Sequence, residues 1–182
     1  MCIARYAINY VQIYDSISKI NWELNDIMSE HNKYIDVLLH QIKQLIDDVL
    51  NLKEFLPIHK QMLNSLIEQC IRIIMRVLVD GYSQAKKCTN EGRALMQLDF
   101  QQLIVKLEKL YDLRPIPDKD YVEVYIKAYY LPEQSFEKWT KEHNEYSNKH
   151  IISLINVMSQ ITRKTKLNLI NSFESNNNHS SN

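Results

Sequence analysis

Apolar residues recur along this chain at spacings of three and four, the period that places them on one face of an α-helix. The first run holds Ala4, Ala7, Ile8, Val11, Tyr14, Ile17, Ile20, Leu24 and Ile27. No glycine or proline interrupts it, so the pattern predicts one helix from Ala4 to Ile27. Ser29–Asn32 is polar and reads either as a break or as a polar turn on a longer helix. A second run, Ile35, Leu38, Leu39, Ile42, Leu45, Ile46, Val49 and Leu52, predicts a helix with one apolar face. Pro57 marks a boundary and suits the first turn of a third helix, where its missing N–H does no harm. That helix carries Met62, Leu63, Leu66, Ile67, Cys70, Ile71, Ile74, Met75, Leu78 and Val79, a face broad enough to touch neighbours on two sides. Gly81 is placed to end or kink it near Tyr82.

Thr89 or Asn90 is positioned to cap a fourth helix running to about Leu110. Asp112–Asp118 contains Pro115 and Pro117, which favour an extended connector. Tyr121–Tyr130 has high β propensity, yet Glu123 and Lys127 form a favourable i, i+4 pair and no partner strand is visible elsewhere. Helix is the reading chosen. Pro132 opens a last helix carrying Phe136, Trp139, Ile151, Leu154, Ile155 and Met158, fading between Ile161 and Ile170. Trp139 and Tyr129 are expected to be mostly buried, joining that helix to the one before. The architecture predicted is all-α: an elongated stack of antiparallel helices over residues 1–171, then a disordered Ser/Asn-rich tail at 172–182.

Composition narrows the classes further. The 182 residues include only two glycines, Gly81 and Gly92, and four prolines. Nucleotide-binding α/β folds and small β-sandwiches need more glycines for phosphate loops and tight turns, so both are disfavoured. The formal net charge is zero, which argues against a nucleic-acid binder. The zero is a sum over unlike parts. Residues 1–56 carry 5 basic and 8 acidic side chains, whereas residues 57–111 carry 8 and 5. Cys2, Cys70 and Cys88 form no CxxC pair and read as free thiols in a reducing compartment. The N-terminus lacks the apolar core of a signal peptide, and no stretch of 18 apolar residues occurs. The chain is expected to be cytosolic.

Catalytic chemistry is thin. Six histidines are scattered, and a metal site at His143 and His150 is a remote reading because their spacing is wide. Asp47 and Asp48 point about 100° apart on a helix and do not share a proton. Asp118 and Asp120 read as helix-capping acids. No cofactor is expected. The strongest electrostatic feature is Lys86–Lys87 with Arg72, Arg76 and Arg93 nearby. It suits acidic lipid headgroups or an acidic partner, or is an ordinary solvated face. Arg163–Lys166 is a second basic run.

Between Lys86 and Tyr146 the residues resemble the C-terminal region of the syndetin family. The resemblance is carried by Lys86-Lys87-Cys88-Thr89-Asn90-Glu91-Gly92-Arg93-Ala94-Leu95-Met96-Gln97-Leu98-Asp99-Phe100, by Asp112-Leu113-Arg114-Pro115-Ile116-Pro117-Asp118, by Tyr125–Leu131 and by Trp139–His143. Met28–Asn32 and Tyr34–Leu39 continue it more loosely. The family usually places a hydroxyl residue after Tyr-Tyr-Leu, where this chain has Pro132. The resemblance implies a non-enzymatic helical domain of a subunit of EARP, the endosome-associated recycling protein complex, acting on endosome membranes in recycling to the cell surface. It implies other EARP subunits, a SNARE or a small GTPase as partners, with peripheral contact to anionic membrane and no nucleic acid. Syndetin is several times longer, so the chain is expected not to assemble the complex by itself. Lys86, Lys87 and Arg93 are the candidate contact surface. Gly92, Arg114, Pro115 and Pro117 are candidates for shaping the loops that present it. The competing reading is a purely structural end-piece of the tether rod.

Overall fold

The computed structural model describes residues 8–55, 59–110 and 114–179. Eight helices and no strand occur among them. Helix α1 is Tyr10–Ser18, α2 Lys33–Phe55, α3 Lys60–Tyr82, α4 Asn90–Leu110, α5 Lys119–Ala128, α6 Glu133–Glu142, α7 Asn148–Val157 and α8 Arg163–His179. The ambiguous Tyr121–Tyr130 stretch is helical as α5. Pro57 lies outside the described residues.

Local signals explain most starts. Asn9 caps α1 by accepting from the Gln12 N–H at 3.0 Å. Thr89 Oγ1 accepts from the Gly92 N–H at 3.2 Å, so the cap of α4 falls on one of the two residues the sequence offered. Ser147 accepts from the His150 N–H and starts α7. Asp118 stands at the start of α5 but makes no side-chain cap. Its φ is 53°, a left-handed conformation in which Asp is enriched, and its carboxylate turns instead to Arg72 and Arg76. Pro132 lies just before α6 in extended backbone and offers no side-chain cap, so the helix begins one residue later than expected.

Two expectations need correcting. The first helix does not reach Ile27: it ends at Ser18, and residues 20–32 form an irregular strap. The last helix is three, because His143–Ser147 breaks the chain between α6 and α7 and Met158–Thr162 breaks it again before α8. At the first break the His143 ring tilts onto Trp139, and Tyr146 donates its hydroxyl to the Tyr121 carbonyl at 2.7 Å. Helix α8 carries the backbone into the Ser/Asn-rich stretch, as far as His179. Neither Ser nor Asn breaks a helix as Gly or Pro does.

Helix neighbours close a circuit. α1 packs on α3, α3 on α5, α5 on α4, α4 on α2, and α2 back on α1. The broad face of α3 thus serves two neighbours, burying Ile67, Cys70, Ile71, Ile74, Met75, Leu78 and Val79. α1 approaches α3 closely at Gly81, where an added Cβ would sit 2.8 Å from the Ile17 side chain. Trp139 and Tyr129 are buried, as expected. Trp139 stacks on Phe136 and Tyr146 at ring separations of 5.5 and 5.2 Å. Trp139→Ala should cost about 3 kcal/mol, the low end for large aromatics, because partly exposed His143 borders the ring. Thermal unfolding checks this, and an unchanged melting temperature would refute the packing assigned to that face.

Candidate functional site: the α3–α4 connector and its strap

The connector between α3 and α4, residues 83–89, meets the strap that follows α1. The Thr89 N–H donates to the Trp22 carbonyl at 3.1 Å. Thr89 Oγ1 accepts from the Leu24 N–H at 3.1 Å and lies 2.9 Å from the Leu24 carbonyl. One threonine therefore caps α4 and holds two backbone positions more than 60 residues away. Contact is so close at Gly92 that an added Cβ would lie 1.9 Å from the Trp22 carbonyl oxygen. Only glycine fits there, because the opposing atom is backbone.

Further along the strap, Asp99 of α4 sits at 0% exposure. Its carboxylate accepts from the Asn32 N–H at 2.7 Å, from Asn32 Nδ2 at 2.8 Å and from the Tyr34 hydroxyl at 2.8 Å. Tyr34 spends its proton on Asp99, so the Tyr82 hydroxyl, 2.8 Å away, donates to Tyr34. Burial pushes the Asp99 carboxyl above its ordinary range, and those hydrogen bonds pull partly the other way. Burial, the Tyr82 hydroxyl and the Asp99 charge all hold the Tyr34 hydroxyl protonated.

Lys86 and Lys87 are exposed on the connector. Lys87 Nζ lies 3.3 Å from Glu23 on the strap. Both lysines border a cleft of ≈ 320 Å³, lined also by Ser18, Ile20, Asn21, Trp22, Glu23, Gln84 and Ala85. Arg93 is not part of this surface. It is 1% exposed, with its guanidinium 5.5 and 5.0 Å from the Tyr125 and Tyr129 ring centres and one N–H directed to the Tyr125 carbonyl at 3.4 Å. Near the last turn of α5 and two aromatic faces, this cation has no carboxylate in ion-pair contact among the described residues.

The other candidates separate from the connector. Arg114 is exposed and 3.9 Å from Glu108. Its peptide bond to Pro115 is cis. Pro115 and Pro117 line a second groove with Arg72, Arg76, Asp118 and Tyr121. In it Arg72 Nη1 donates to Asp118 at 2.6 Å, and the Arg76 guanidinium lies 3.8 Å over the Tyr121 ring. Of the four loop-shaping candidates, Gly92 alone touches the strap behind the Lys86–Lys87 edge. Glu23, which is not among the candidates the sequence offers, is the acid that meets Lys87. Its signal is weak there: a lone glutamate in a segment read as helix.

Chemistry at the remaining titratable groups is structural in form. His150 Nε2 pairs with Asp80 at 2.7 Å and His143 Nδ1 with Glu145 at 2.7 Å, so the two histidines serve different partners. Among the described residues no group of three or more His, Cys, Asp or Glu could hold a metal ion. Burial pushes the Cys70 and Cys88 thiols up, which keeps them protonated. Among the described residues no helix is long and apolar enough to cross a membrane.

Known proteins match this chain in sequence. The family model described as "Syndetin, C-terminal" matches residues 1–174. Syndetins of Rattus norvegicus, Gallus gallus and Mus musculus are each 48% identical to this chain over 170 residues, 92% of its length. The chain spans 18% of those relatives. No solved structure matches it. The family match reaches through α1, the strap and the connector alike, and the chain belongs to the syndetin C-terminal family.

Proposed function

We propose that this chain is the C-terminal helical domain of a syndetin-like subunit of the EARP tether, and that it works by docking rather than by catalysis. In this reading it acts in endocytic recycling, in the cytoplasm, peripherally on recycling endosomes. The supporting observation is the family match across 174 residues, joined to an exposed Lys86–Lys87 edge on a connector fixed by backbone hydrogen bonds. Its contacts would be other tether subunits, a SNARE, a small GTPase or anionic lipid. A rigid edge loses little conformational freedom on docking, which favours binding.

One observation favours the competing reading, a structural end-piece of the rod. Arg93 is buried and Lys87 is paired, so less charge faces outward than the sequence offered. Localisation of the full-length protein separates the two. The double variant Lys86→Glu, Lys87→Glu should lose most of its endosomal signal at unchanged protein level and unchanged melting temperature. Full retention of the signal would establish the end-piece reading instead.

A further inference from the structure

We propose that the cleft beside Lys86 and Lys87 receives an acidic side chain of a protein partner, and that Glu23 holds that place in the free chain. The inference rests on reading the Lys86–Lys87 edge as a contact surface, and it names what the edge contacts.

The charges around the cleft favour an acid. Among the residues lining it, Lys86 and Lys87 are the cations and Glu23 is the sole acid. Lys19, next along the chain from the lining residue Ser18, is exposed and adds a third positive charge nearby. Glu23 meets only Lys87, and both side chains are largely exposed, at 51% and 72%. Such a pair is weak and readily exchanged. Lys86 has no acid within ion-pair distance among the described residues.

The available donors point the same way. The Ser18 hydroxyl is already bonded to the Asp15 carbonyl, Asn21 Nδ2 to the Glu23 carbonyl, and Gln84 Nε2 to the Asp80 carbonyl. The two ammonium groups and the second Asn21 Nδ2 hydrogen are therefore the accessible donors left for an incoming acceptor. Trp22 lines the same cleft, and its buried indole N–H has no acceptor in the structure. That N–H is sealed from the cleft, so an entering carboxylate serves Lys86, which has no acid of its own among the described residues.

Shape and magnitude decide between peptide and lipid. Each basic residue near an anionic surface adds roughly five-fold to binding, and lipid-reading clusters hold about four to eight of them. Three lysines, one already paired, fall short of that. A cleft with preformed walls suits a single inserted side chain better than a plane of headgroups. The walls are held by backbone bonds at Ile20, Gln84, Ala85 and Thr89.

The test uses the 182-residue chain, ¹⁵N-labelled, with a blocked Glu-rich peptide as probe and its Gln counterpart as control. Sedimentation with phosphatidylcholine vesicles containing roughly one third phosphatidylserine runs alongside. The expected result is amide shifts confined to Ser18–Glu23 and Gln84–Lys87 with the Glu-rich peptide alone. Lys86→Glu should abolish them. Glu23→Gln should tighten binding about two- to five-fold by freeing Lys87. Absence of shifts at millimolar peptide, shifts centred on Arg72 and Arg76, or no gain in Glu23→Gln would overturn the proposal. So would Lys86-dependent vesicle binding without peptide binding, which would assign the edge to lipid. If the peptide fails while the double lysine variant still delocalises the full-length protein, the cleft assignment falls and the docking reading stands. Peptide binding with unmoved localisation would uphold the cleft assignment and overturn the docking reading.

Discussion

Gly92→Ala is expected to destabilise the chain by about 4–5 kcal/mol, at the top of the range for single substitutions. The added methyl would be placed 1.9 Å from the Trp22 carbonyl oxygen. That oxygen cannot swing aside like a side-chain tip. It accepts the Thr89 N–H, and the neighbouring Leu24 is bonded to Thr89 Oγ1, so moving it breaks the strap from α4. Gly81→Ala is the control. Its methyl would meet Ile17 Cγ2 at 2.8 Å and Ile17 Cβ at 2.9 Å, and since Cβ does not move on χ1 rotation, α1 would have to give by a few tenths of an ångström. Alanine gains at most about 1 kcal/mol of helix propensity at this helix end, leaving a net loss of about 1–2 kcal/mol, well below that of Gly92→Ala. Urea unfolding of both variants reads the contrast. A loss below about 1 kcal/mol for Gly92→Ala would mean that the strap does not lie against α4 in solution.

Asp99→Ala should cost about 3–5 kcal/mol, the range for breaking a buried charged network. It would leave the Asn32 N–H, Asn32 Nδ2 and the Tyr34 hydroxyl without their acceptor. Asp99→Asn keeps the shape and exposes the role of charge. The Asp99 carboxyl is raised above its ordinary value of 3.8 in the folded chain. A raised folded value means that this titration supports folding fully below 3.8, and that the support is lost as pH rises through the higher folded value. Wild type should therefore lose stability relative to Asp99→Asn over that window. The advantage of wild type narrows towards neutral pH. Unfolding measured from about pH 3.5 to neutrality checks the slope, and parallel curves for the two proteins would contradict the raised value.

Helices α2 to α5 were legible because each has an apolar stripe bounded by punctuation the sequence displays: Pro57, Thr89, Pro115 and Pro117. The strap was not. Ile20, Leu24 and Ile27 continue the spacing of Ile13 and Ile17, yet Ile27 is 78% exposed. The backbone leaves the helix to reach Thr89 and Asp99, partners more than 60 positions away that a local period does not register. The α6–α7 break was missed for a related reason: it is made by the Tyr146–Tyr121 bond and the Ser147 cap rather than by Gly or Pro. Of the site, Lys86 and Lys87 were correctly read as exposed. Arg93 was misplaced because a lone arginine on an amphipathic helix defaults to solvent. A signal was present all the same, since Arg93, Met96, Phe100, Leu103 and Leu107 follow one 3-4 stripe and all are buried. An arginine in register with four apolar residues belongs to the core side.

Beside the buried Trp22 ring, which sits edge-on to Tyr82, the hydrogen bonds that tie the first half of the strap to Thr89 are made by main-chain atoms: the Trp22 carbonyl and the two backbone groups of Leu24. Main-chain atoms are the same whatever side chain they carry. Asn25–Glu30, which follows, is exposed throughout. Its path is thus set at both ends, by Thr89 and by Asp99, and its identity is set by neither. This stretch can be rewritten residue by residue without redrawing the backbone, which gives the molecule a display position whose chemistry is free to change while its architecture stays fixed.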